Sequence, residues 1–338
     1  MENSTMRQSV LFASPPHVAG FGSVAGKKER EGPLGECFDY ADDDAHFGEA
    51  SWEKAESRMQ QLAMDHALNH AALTPGEIGL AYAGDLLNQC IGSSFSLRGT
   101  GIPVLGLYGA CSTMAQSLLL ASMSVAAGYT SAAMALTSSH FASSERQYRF
   151  PLGYGGQRTP TAQWTVTGSG CVIVKAGKGE IYVRGGTVGT IVDLGIRGAN
   201  NMGAAMAPAA VETISAHFRE LGRRPEDYDL IVTGDLGAIG KRIVPEQMCK
   251  EGYLLDGRYD DCGVMLFDRE RQDVHAGGSG CGCSALVLCG HLLREMQRGN
   301  IHDLLFCGTG ALLSPVSANQ GESVPGICHA VWLSTERE

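Results

Sequence analysis

Cys111 is the residue best suited to covalent or anion-binding chemistry in this sequence. It lies in the run 109–112 (GACS), where an apolar strand predicted over 102–107 meets a helix predicted over 112–127. Unpaired backbone N–H groups and the dipole at a helix start favour a thiolate. The pattern therefore predicts a nucleophile or an anion contact at Cys111. The alternative is one more small core residue among the 11 cysteines.

A nucleophilic cysteine needs a base, and His275 is one candidate. It precedes the glycine-rich turn 277–280, which lies in the second half of the chain. A histidine at such a turn either serves the cysteine or satisfies local hydrogen bonds as a structural residue. The residues alone leave both interpretations open.

The elements that would position Cys111 recur towards the C terminus. A glycine-rich turn, a predicted helix and a predicted strand follow one another again, at 280–283, 284–298 and 304–307. Each half then closes with a β run that begins with glycine, at 170–174 and at 326–331. Two copies of one α/β unit, residues 1–180 and 181–338, are the simplest interpretation.

Composition limits the function classes. The chain has 338 residues and a net charge of −10, which argues against a nucleic-acid-binding surface. Cys281 and Cys283 are one residue apart, whereas zinc ligands are usually spaced by two to four, so no metal site is predicted. The uncharged stretch between Gly99 and Ser144 is interrupted by proline, glycine and polar residues. It therefore predicts a buried core rather than a transmembrane segment, and we expect no signal peptide.

Six sequence blocks resemble a known family. They are GPL at 32–34, SWEKAE at 51–56, GDLLNQ at 84–89, GLYGACST at 106–113, YGGQR at 154–158 and GESVPG at 321–326. In this order they resemble the stage V sporulation protein AD family of spore-forming bacteria over nearly the full length. The duplicated halves, with Cys111 at the first central turn, are similar to the thiolase and ketoacyl-synthase superfamily. The resemblance implies a thiolase-like α/β fold of two pseudo-repeated halves, stacked as α-β-α-β-α layers.

The resemblance also implies a function. The family is expected to bind dipicolinic acid (pyridine-2,6-dicarboxylate), either alone or as its calcium chelate. It would support uptake of this acid into the forespore and its release on germination, within an inner-membrane transport complex. The implied partners are the other stage V sporulation A membrane proteins, contacted peripherally at the spore inner membrane, and a second copy in a homodimer. No cofactor is implied beyond calcium carried by the ligand.

Catalysis is expected to be lost. In ketoacyl synthases that use acyl-CoA primers, a histidine in the second half polarises the thioester carbonyl, and Asp235 stands at the matching place here. The partner asparagine of those enzymes falls at Ser279 if the turn is aligned without a gap. A carboxylate cannot donate a hydrogen bond to a developing oxyanion unless it is protonated. Cys111 would then be a vestigial nucleophile in a protein that is not an enzyme.

Two alternatives stay open from the sequence. Compared with thiolase itself, His275 and the glycine loop at Cys307 resemble catalytic positions. This favours an acyl-CoA condensing or thiolytic enzyme that uses Cys111 as its nucleophile. The other alternative is a scaffold for a membrane complex that needs no ligand.

A flat aromatic dianion needs cations or N–H donors for its carboxylates and an apolar slot for its ring. The predicted helix start supplies donors, and an arginine–aromatic cluster contributes Arg146, Arg149 and Arg158. Arg158 is preferred because the glycines at 155–156 permit a close backbone approach. The predicted ligand-binding residues are Cys111, Ser112, Arg158, Asp235, His275 and Ser279. The sequence leaves open whether His275 or Ser279 faces Cys111.

Overall fold

A computed structural model describes residues 8–148, 158–197 and 200–336. The strands in this part of the chain are β1 Ser9–Leu11, β2 His17–Gly26, β3 Tyr40–Asp42, β4 Leu80–Gly84, β5 Val104–Gly106, β6 Ala132–Ser139, β7 Trp164–Thr165, β8 Gly168–Lys175, β9 Tyr182–Thr187, β10 Leu230–Thr233, β11 Tyr259–Asp261, β12 Gly278–Ser279, β13 Asp303–Ala311 and β14 Gly326–Ser334. The helices are α1 Lys27–Arg30, α2 Trp52–Ala71, α3 Ile91–Leu97, α4 Thr113–Ala126, α5 Phe141–Tyr148, α6 Met202–Leu221, α7 Gly237–Lys250, α8 Cys262–Met265, α9 Cys281–Val287, α10 Leu293–Gln297 and α11 Pro315–Asn319.

The two halves contain the same arrangement of strands. The first half has the spatial order β5-β4-β6-β8-β2, and the second half has β11-β10-β13-β14-β9. In both, the first three strands are parallel and the next two pairings are antiparallel. Since order and direction agree at every step, the predicted internal duplication is confirmed.

Helices cover the strands on both sides and fill the space between the halves. Helix α2 packs on β2 and β8 of the first half, and α6 packs on β13 and β14 of the second. Helix α4 contacts strands of both halves and also contacts α9, so these two helices form a central layer. The result is the predicted α-β-α-β-α stack, in which a shared apolar core surrounds the central helices.

The start of α4 is pressed against the second half, and this contact fixes the turn that carries Cys111. A Cβ atom added at Gly308 of β13 would lie 2.6 Å from the Ala115 Cβ and 3.0 Å from the Ser112 carbonyl oxygen. A side chain at that position would therefore push the helix start away from β13. The glycine keeps the turn at the junction between the halves.

The predicted boundary between residues 180 and 181 falls in the link from β8 to β9. Two strands cross this boundary, because β1 and β2 of the first half both pair in antiparallel fashion with β9 of the second half. The exact limits of the two halves stay a prediction, whereas their duplicated strand order is established.

Candidate functional site

Two local structures place the candidate site at the junction of the halves. Cys111 lies in a 3-10 turn, Ala110–Ser112, that leads into α4. Ala110 has a left-handed backbone with φ of 50°, a conformation that is costly for a residue with a side chain. Opposite this turn, β12 pairs in parallel with β7, and Ser279 is the register partner of Thr165. The β7–β12 pair forms a short ribbon against which the cysteine turn rests.

Cys111, Asp235 and Ser279 meet at this junction. The Cys111 Sγ lies 4.0 Å from the Ser279 Oγ, and the Asp235 carboxylate is close enough to raise the pKa of the thiol. Asp235 Oδ2 accepts hydrogen bonds from the Ser279 hydroxyl at 3.2 Å and from the Gly280 N–H at 2.9 Å. Its Oδ1 accepts one from the Thr309 hydroxyl at 2.8 Å. In the structure, Ser279 and not His275 therefore faces Cys111, as the gap-free alignment of the second-half turn predicted.

A second buried carboxyl group holds the loop of Asp235. Asp261 Oδ2 accepts hydrogen bonds from the Thr233 hydroxyl and the Leu236 N–H, both at 2.8 Å, and its Oδ1 accepts one from the Gly237 N–H at 2.9 Å. Burial raises the pKa of Asp261 to about 7. The loop that carries Asp235 is thus held in place by the hydrogen bonds that the Asp261 carboxylate accepts from it.

The environment of Cys111 favours the neutral thiol. Burial raises the pKa of the thiol well above its usual range, and the neighbouring Asp235 carboxylate raises it further. The Ser279 hydroxyl and the Gly280 N–H lower it, but they are the weaker influences. The sequence predicted that the helix start favours a thiolate, whereas burial and the nearby negative charge act in the opposite direction.

A cavity of about 120 Å³ opens at Cys111. Its wall is formed by residues from both halves and from the β7–β12 ribbon: Leu86, Ala110, Cys111, Ser144, Glu145, Tyr148, Thr161, Ala162, Gln163, Thr165, Asn200, Met202, Ser279, Ala311 and Leu313. Glu145 is almost fully buried there and accepts a hydrogen bond from Thr165 at 3.0 Å. Burial raises the pKa of Asp235, which lies behind Ser279 and contributes a second carboxyl group close to the cavity.

Gln163 is a wall residue that sequence reasoning missed. Its Nε2 donates to the Asp235 carbonyl at 2.6 Å and to the Gly278 carbonyl at 2.7 Å. Its Oε1 is buried and has no hydrogen-bond partner among the described residues. The signal that could have located it is strand alternation, since Gln163 and Thr165 flank a tryptophan. We call Cys111, Gln163, Asp235 and Ser279 the Cys111 cluster.

His275 and Arg158 both contact the Asp273 carboxylate and do not contact Cys111. Arg158 forms an ion pair with Asp273 at 2.6 Å, and the His275 Nε2 lies 3.0 Å from the other oxygen of that carboxylate. The His275 Nδ1 contacts the Thr159 carbonyl at 2.9 Å, and the backbone of His275 is left-handed with φ of 52°. Neither side chain lines the cavity. The sequence predicted that His275 and Arg158 lie with Cys111, but the structure places both of them beside Asp273.

The side chain of Trp164 lies beside this second group. The Lys28 Nζ is 3.7 Å from the centre of its indole ring, and the Arg158 guanidinium carbon is 4.8 Å from a Trp164 ring centre. We call Lys28, Arg158, Trp164, Asp273 and His275 the Asp273 cluster. It occupies the face of the ribbon opposite to Gln163 and Thr165, because successive strand residues point to opposite sides.

Other predicted residues are also turned away from the cavity. The Ser112 hydroxyl donates to the Gly109 carbonyl at 2.6 Å, and Ser112 does not line the wall. The Cys307 Sγ is buried, with the Leu305 carbonyl at 3.9 Å, and Cys328 neighbours it. Arg146 forms an ion pair with Glu53, and Arg149 lies outside the described residues. The thiolase-like constellation of Cys111, His275 and Cys307 is not assembled.

Comparison with known proteins assigns the family. A model of the stage V sporulation protein AD family matches residues 6–334. The stage V sporulation protein AD of Bacillus subtilis (strain 168) is 44% identical over 327 residues, which covers 97% of this chain and 96% of that protein. The chain belongs to the stage V sporulation protein AD family. The predicted resemblance is confirmed, and the family name links the chain to sporulation.

Solved structures show the fold of this family member. A 3-oxoacyl-[acyl-carrier-protein] synthase III from Aquifex aeolicus VF5 has a TM-score of 0.60 at 13% identity, covering 94% of this chain and 99% of that one. Xanthomonas OleA with bound cerulenin has a TM-score of 0.63 at 11% identity, with 96% and 98% covered. Human mitochondrial 3-ketoacyl-CoA thiolase in complex with CoA has a TM-score of 0.61 at 12% identity, with 98% and 100% covered. The fold is thiolase-like, as predicted.

Within the ranges that the structure describes, none of the helices has both the length and the apolar composition needed to cross a bilayer.

Proposed function

We propose that this member of the stage V sporulation protein AD family binds dipicolinic acid in the Cys111 cavity without transforming it. In this role it supports uptake of the acid into the forespore and its release on germination. It acts as a peripheral component at the spore inner membrane, together with the other stage V sporulation A proteins. The observation that carries the proposal is the buried Cys111 thiol, which lies beside Ser279 and Asp235 at the wall of a small cavity.

The chemistry around Cys111 supports binding rather than acyl transfer. A thioester-forming cysteine attacks as the thiolate, and the Asp235 carboxylate beside Cys111 raises the pKa of the thiol. The tetrahedral intermediate of acyl transfer carries a negative charge that N–H or O–H donors must stabilise. Asp235 would place a second negative charge there, and the Ser279 hydroxyl already donates to that carboxylate.

The size of the cavity supports a ligand of one ring. Its volume of about 120 Å³ is close to the roughly 150 Å³ in which an engineered protein cavity holds benzene. The wall combines apolar surface from Leu86, Met202 and Leu313 with hydroxyl and carboxyl groups. Such a mixture suits a flat ring with polar substituents at its edge.

Calorimetric titration with dipicolinate tests the proposal. We expect saturable binding to the wild-type protein and at least tenfold weaker binding to Cys111→Ala, since the substitution removes a wall atom and a donor. Cys249→Ala is the matched control, because Cys249 is an exposed cysteine outside the cavity wall. Absence of dipicolinate binding to the wild type would refute the proposal.

Intact mass measurement after incubation with acetyl-CoA separates the competing function. The alternative is an acyl-CoA condensing or thiolytic enzyme, which would form a covalent adduct on Cys111. We expect no mass shift in either the wild type or Cys111→Ala. A mass shift that is present in the wild type and absent from Cys111→Ala would show that the protein is an acyl-transfer enzyme. If the protein neither binds dipicolinate nor gains mass, the result would favour a scaffold.

A further inference from the structure

Two buried carboxyl groups lie behind the wall of the Cys111 cavity, and neither forms an ion pair with a described residue. Glu56 of α2 and Asp85, in the loop after β4, are both inaccessible to solvent. They pack on the same glycine, because a Cβ atom added at Gly92 would lie 3.2 Å from the Asp85 Oδ2 and 3.4 Å from the Glu56 Cγ. Two like charges in such a place repel each other, so the pair holds a proton.

The hydrogen bonds place this proton on Glu56. Asp85 accepts three of them, from the Leu87 N–H at 2.9 Å, the Ser93 N–H at 2.8 Å and the Ser93 hydroxyl at 2.7 Å. Several N–H donors stabilise the ionised form of a carboxyl group. Glu56 is contacted by two hydroxyls, at 2.6 and 2.8 Å. Burial raises the pKa of both groups, and the charge of Asp85 raises that of Glu56 further, from 4.5 to about 8.

Ser143 of α5 is able to serve both protonation states of Glu56. Its hydroxyl has one hydrogen and two acceptors within reach, the Glu56 Oε2 at 2.6 Å and the His140 carbonyl at 3.2 Å. When Glu56 is protonated, its O–H donates to the Ser143 Oγ, and Ser143 donates to the carbonyl. When the proton has left for the solvent, Ser143 has to donate to Glu56 instead. The protonation state of Glu56 therefore changes the hydrogen bonding at the start of α5.

The two segments that these acids hold are neighbouring parts of the cavity wall. Asp85 directly precedes the wall residue Leu86, and Ser143 directly precedes the wall residue Ser144. Farther along α5, the Tyr148 hydroxyl donates to the Leu86 carbonyl at 2.9 Å and joins the two segments. A displacement of either segment would therefore change the shape of the cavity.

The elements that reach Glu56 through its serine partners carry four titratable residues, His140, Glu145, Arg146 and Cys281. Burial lowers the pKa of His140 to about 4 and raises the pKa of the Cys281 thiol, so both are neutral at pH 7. Glu145 accepts a hydrogen bond from a threonine of the ribbon, and Arg146 forms an ion pair with an acid at the start of α2. These four residues therefore leave Glu56 without a cationic partner among them.

Other titratable residues lie on the strands, on the loops and next to the helix that pack against α2. They are His17, His46, Cys90, Arg98, Cys171 and Lys175. Among the described residues, Asp85 is the charged group that shifts the pKa of Glu56. The titration of Glu56 is thus governed by its burial and by this one neighbour.

We propose that Glu56 is a positioning residue of the Cys111 cavity, whose proton keeps the wall segments at Leu86 and Ser144 together and whose ionisation weakens ligand binding. The proposal rests on the proposed function and adds a dependence on pH to it. An ionised Glu56 repels the Asp85 carboxylate that anchors the neighbouring loop, and it adds a negative charge behind a site for a dianion. Both effects lower the affinity as pH rises.

Calorimetric titration with dipicolinate at pH 6 and pH 9 tests the proposal. The carboxyl groups of the ligand stay ionised over this range. We expect the wild type to bind about tenfold more weakly at pH 9, which lies one unit above the pKa of Glu56. Glu56→Gln keeps the shape and stays neutral, so it should match the wild type at pH 6 and change by less than about threefold at pH 9.

Glu29→Gln is the matched control for this titration. Glu29 is a second buried acid with a raised pKa, but it does not line the cavity. We expect Glu29→Gln to retain the wild-type ratio of affinities between the two pH values.

The number of protons taken up on binding gives a readout that packing alone would not change. It is obtained by calorimetry at pH 8 in two buffers with different ionisation enthalpies. We expect the wild type to take up about half a proton with dipicolinate, since half of Glu56 is ionised at that pH, and Glu56→Gln to take up none at this position. Because the wild type is measured by itself, absence of proton uptake would refute the proposal even if the variant did not fold.

The possible failures are distinguishable. If the wild type does not bind dipicolinate at pH 6, the proposed function fails and the role of Glu56 fails with it. If the wild type binds but Glu56→Gln shows the same ratio of affinities or the same proton uptake, the proposed function stands and the role of Glu56 is refuted. A loss of affinity in Glu56→Gln that is equal at both pH values would likewise show that Glu56 only packs.

Discussion

The two faces of the β7–β12 ribbon carry clusters of opposite character. On one face, the Cys111 cluster is buried, and Asp235 receives hydrogen bonds from Ser279, Gly280 and Thr309. On the other face, the Asp273 cluster is an ion-pair group whose central carboxylate is 72% exposed. Residues a single position apart in sequence thus lie in different chemical environments. The buried face has the geometry of a site, whereas on the other face a mostly buried Arg158 pairs with a largely exposed carboxylate.

The largest expected difference between the clusters is in stability. Replacing Asp235 by alanine leaves the Gly280 N–H and the Ser279 and Thr309 hydroxyls without their acceptor in a buried place. We expect the free energy of unfolding to fall by about 2–4 kcal/mol, measured by urea denaturation. Asp273→Ala should lower it less, because the Asp273 carboxylate is 72% exposed, although its partner Arg158 is mostly buried. Equal losses in the two variants would remove the distinction between the faces.

The dependence of stability on pH tests the protonation state of Glu29, a buried acid next to Lys28 of the Asp273 cluster. Glu29 receives a hydrogen bond from the Thr167 N–H at 3.0 Å, and burial raises its pKa from 4.5 to about 7. The folded protein therefore keeps a proton on Glu29 that the unfolded chain has lost, and stability decreases as pH rises from about 4.5 to 7. In Glu29→Gln we expect this decrease to be smaller by roughly 2–3 kcal/mol. Denaturation curves at pH 4.5 and 8 measure it.

The control for that measurement is Glu31→Gln, because Glu31 is an exposed acid two positions away. It should retain the pH dependence of the wild type. If Glu29→Gln and the wild type lose the same stability over this range, Glu29 is ionised in the folded protein.

The reactivity of Cys111 tests the electrostatic part of the comparison. Asp235→Asn removes the negative charge beside the thiol, so the pKa of Cys111 should fall and its alkylation by iodoacetamide should accelerate. We expect a severalfold higher rate at pH 8, because the thiolate fraction increases as the pKa of the thiol falls. Peptide mass spectrometry follows Cys111 and uses exposed Cys249 as the internal standard. An unaltered rate at Cys111 would mean that burial alone keeps the thiol neutral.

The smallest expected effect concerns Arg158, which the sequence favours as a ligand contact and the structure places in the Asp273 cluster. We expect Arg158→Ala to bind dipicolinate within about twofold of the wild type, since its guanidinium lies on the other face of the ribbon. The same calorimetric titration used for Cys111→Ala measures it. A loss as large as that in Cys111→Ala would return Arg158 to the ligand site.

The sequence allowed us to predict the duplicated fold and the three residues Cys111, Asp235 and Ser279. It did not allow us to predict which other residues line the cavity. Repeated turn, helix and strand patterns are local, so the duplication could be seen without coordinates. Cys111, Asp235 and Ser279 follow from aligning turns that the fold superposes. By contrast, the direction of His275 depends on its left-handed backbone, and that of Arg158 on its ion pair with Asp273.

The position of Gln163 and the pKa of Cys111 could not be predicted from the sequence for a further reason. The placement of the Gln163 amide depends on two backbone carbonyls, at positions 235 and 278, that come together only in the folded protein. The pKa of Cys111 depends on how deeply the thiol is buried and how close the Asp235 carboxylate lies. Neither quantity is encoded by the residue types within the local turn.

The pairing of β1 with β9 makes the two halves inseparable in practice. Gly185, Gly186 and Thr187 use Ser9–Leu11 as their partner on one edge and β14 on the other. A fragment that starts at residue 181 would leave this edge open, and an open strand edge invites association with another chain. Expressing the C-terminal half on its own would therefore favour aggregation, and the loss of α4, which packs on β13 and β14, would expose apolar surface as well.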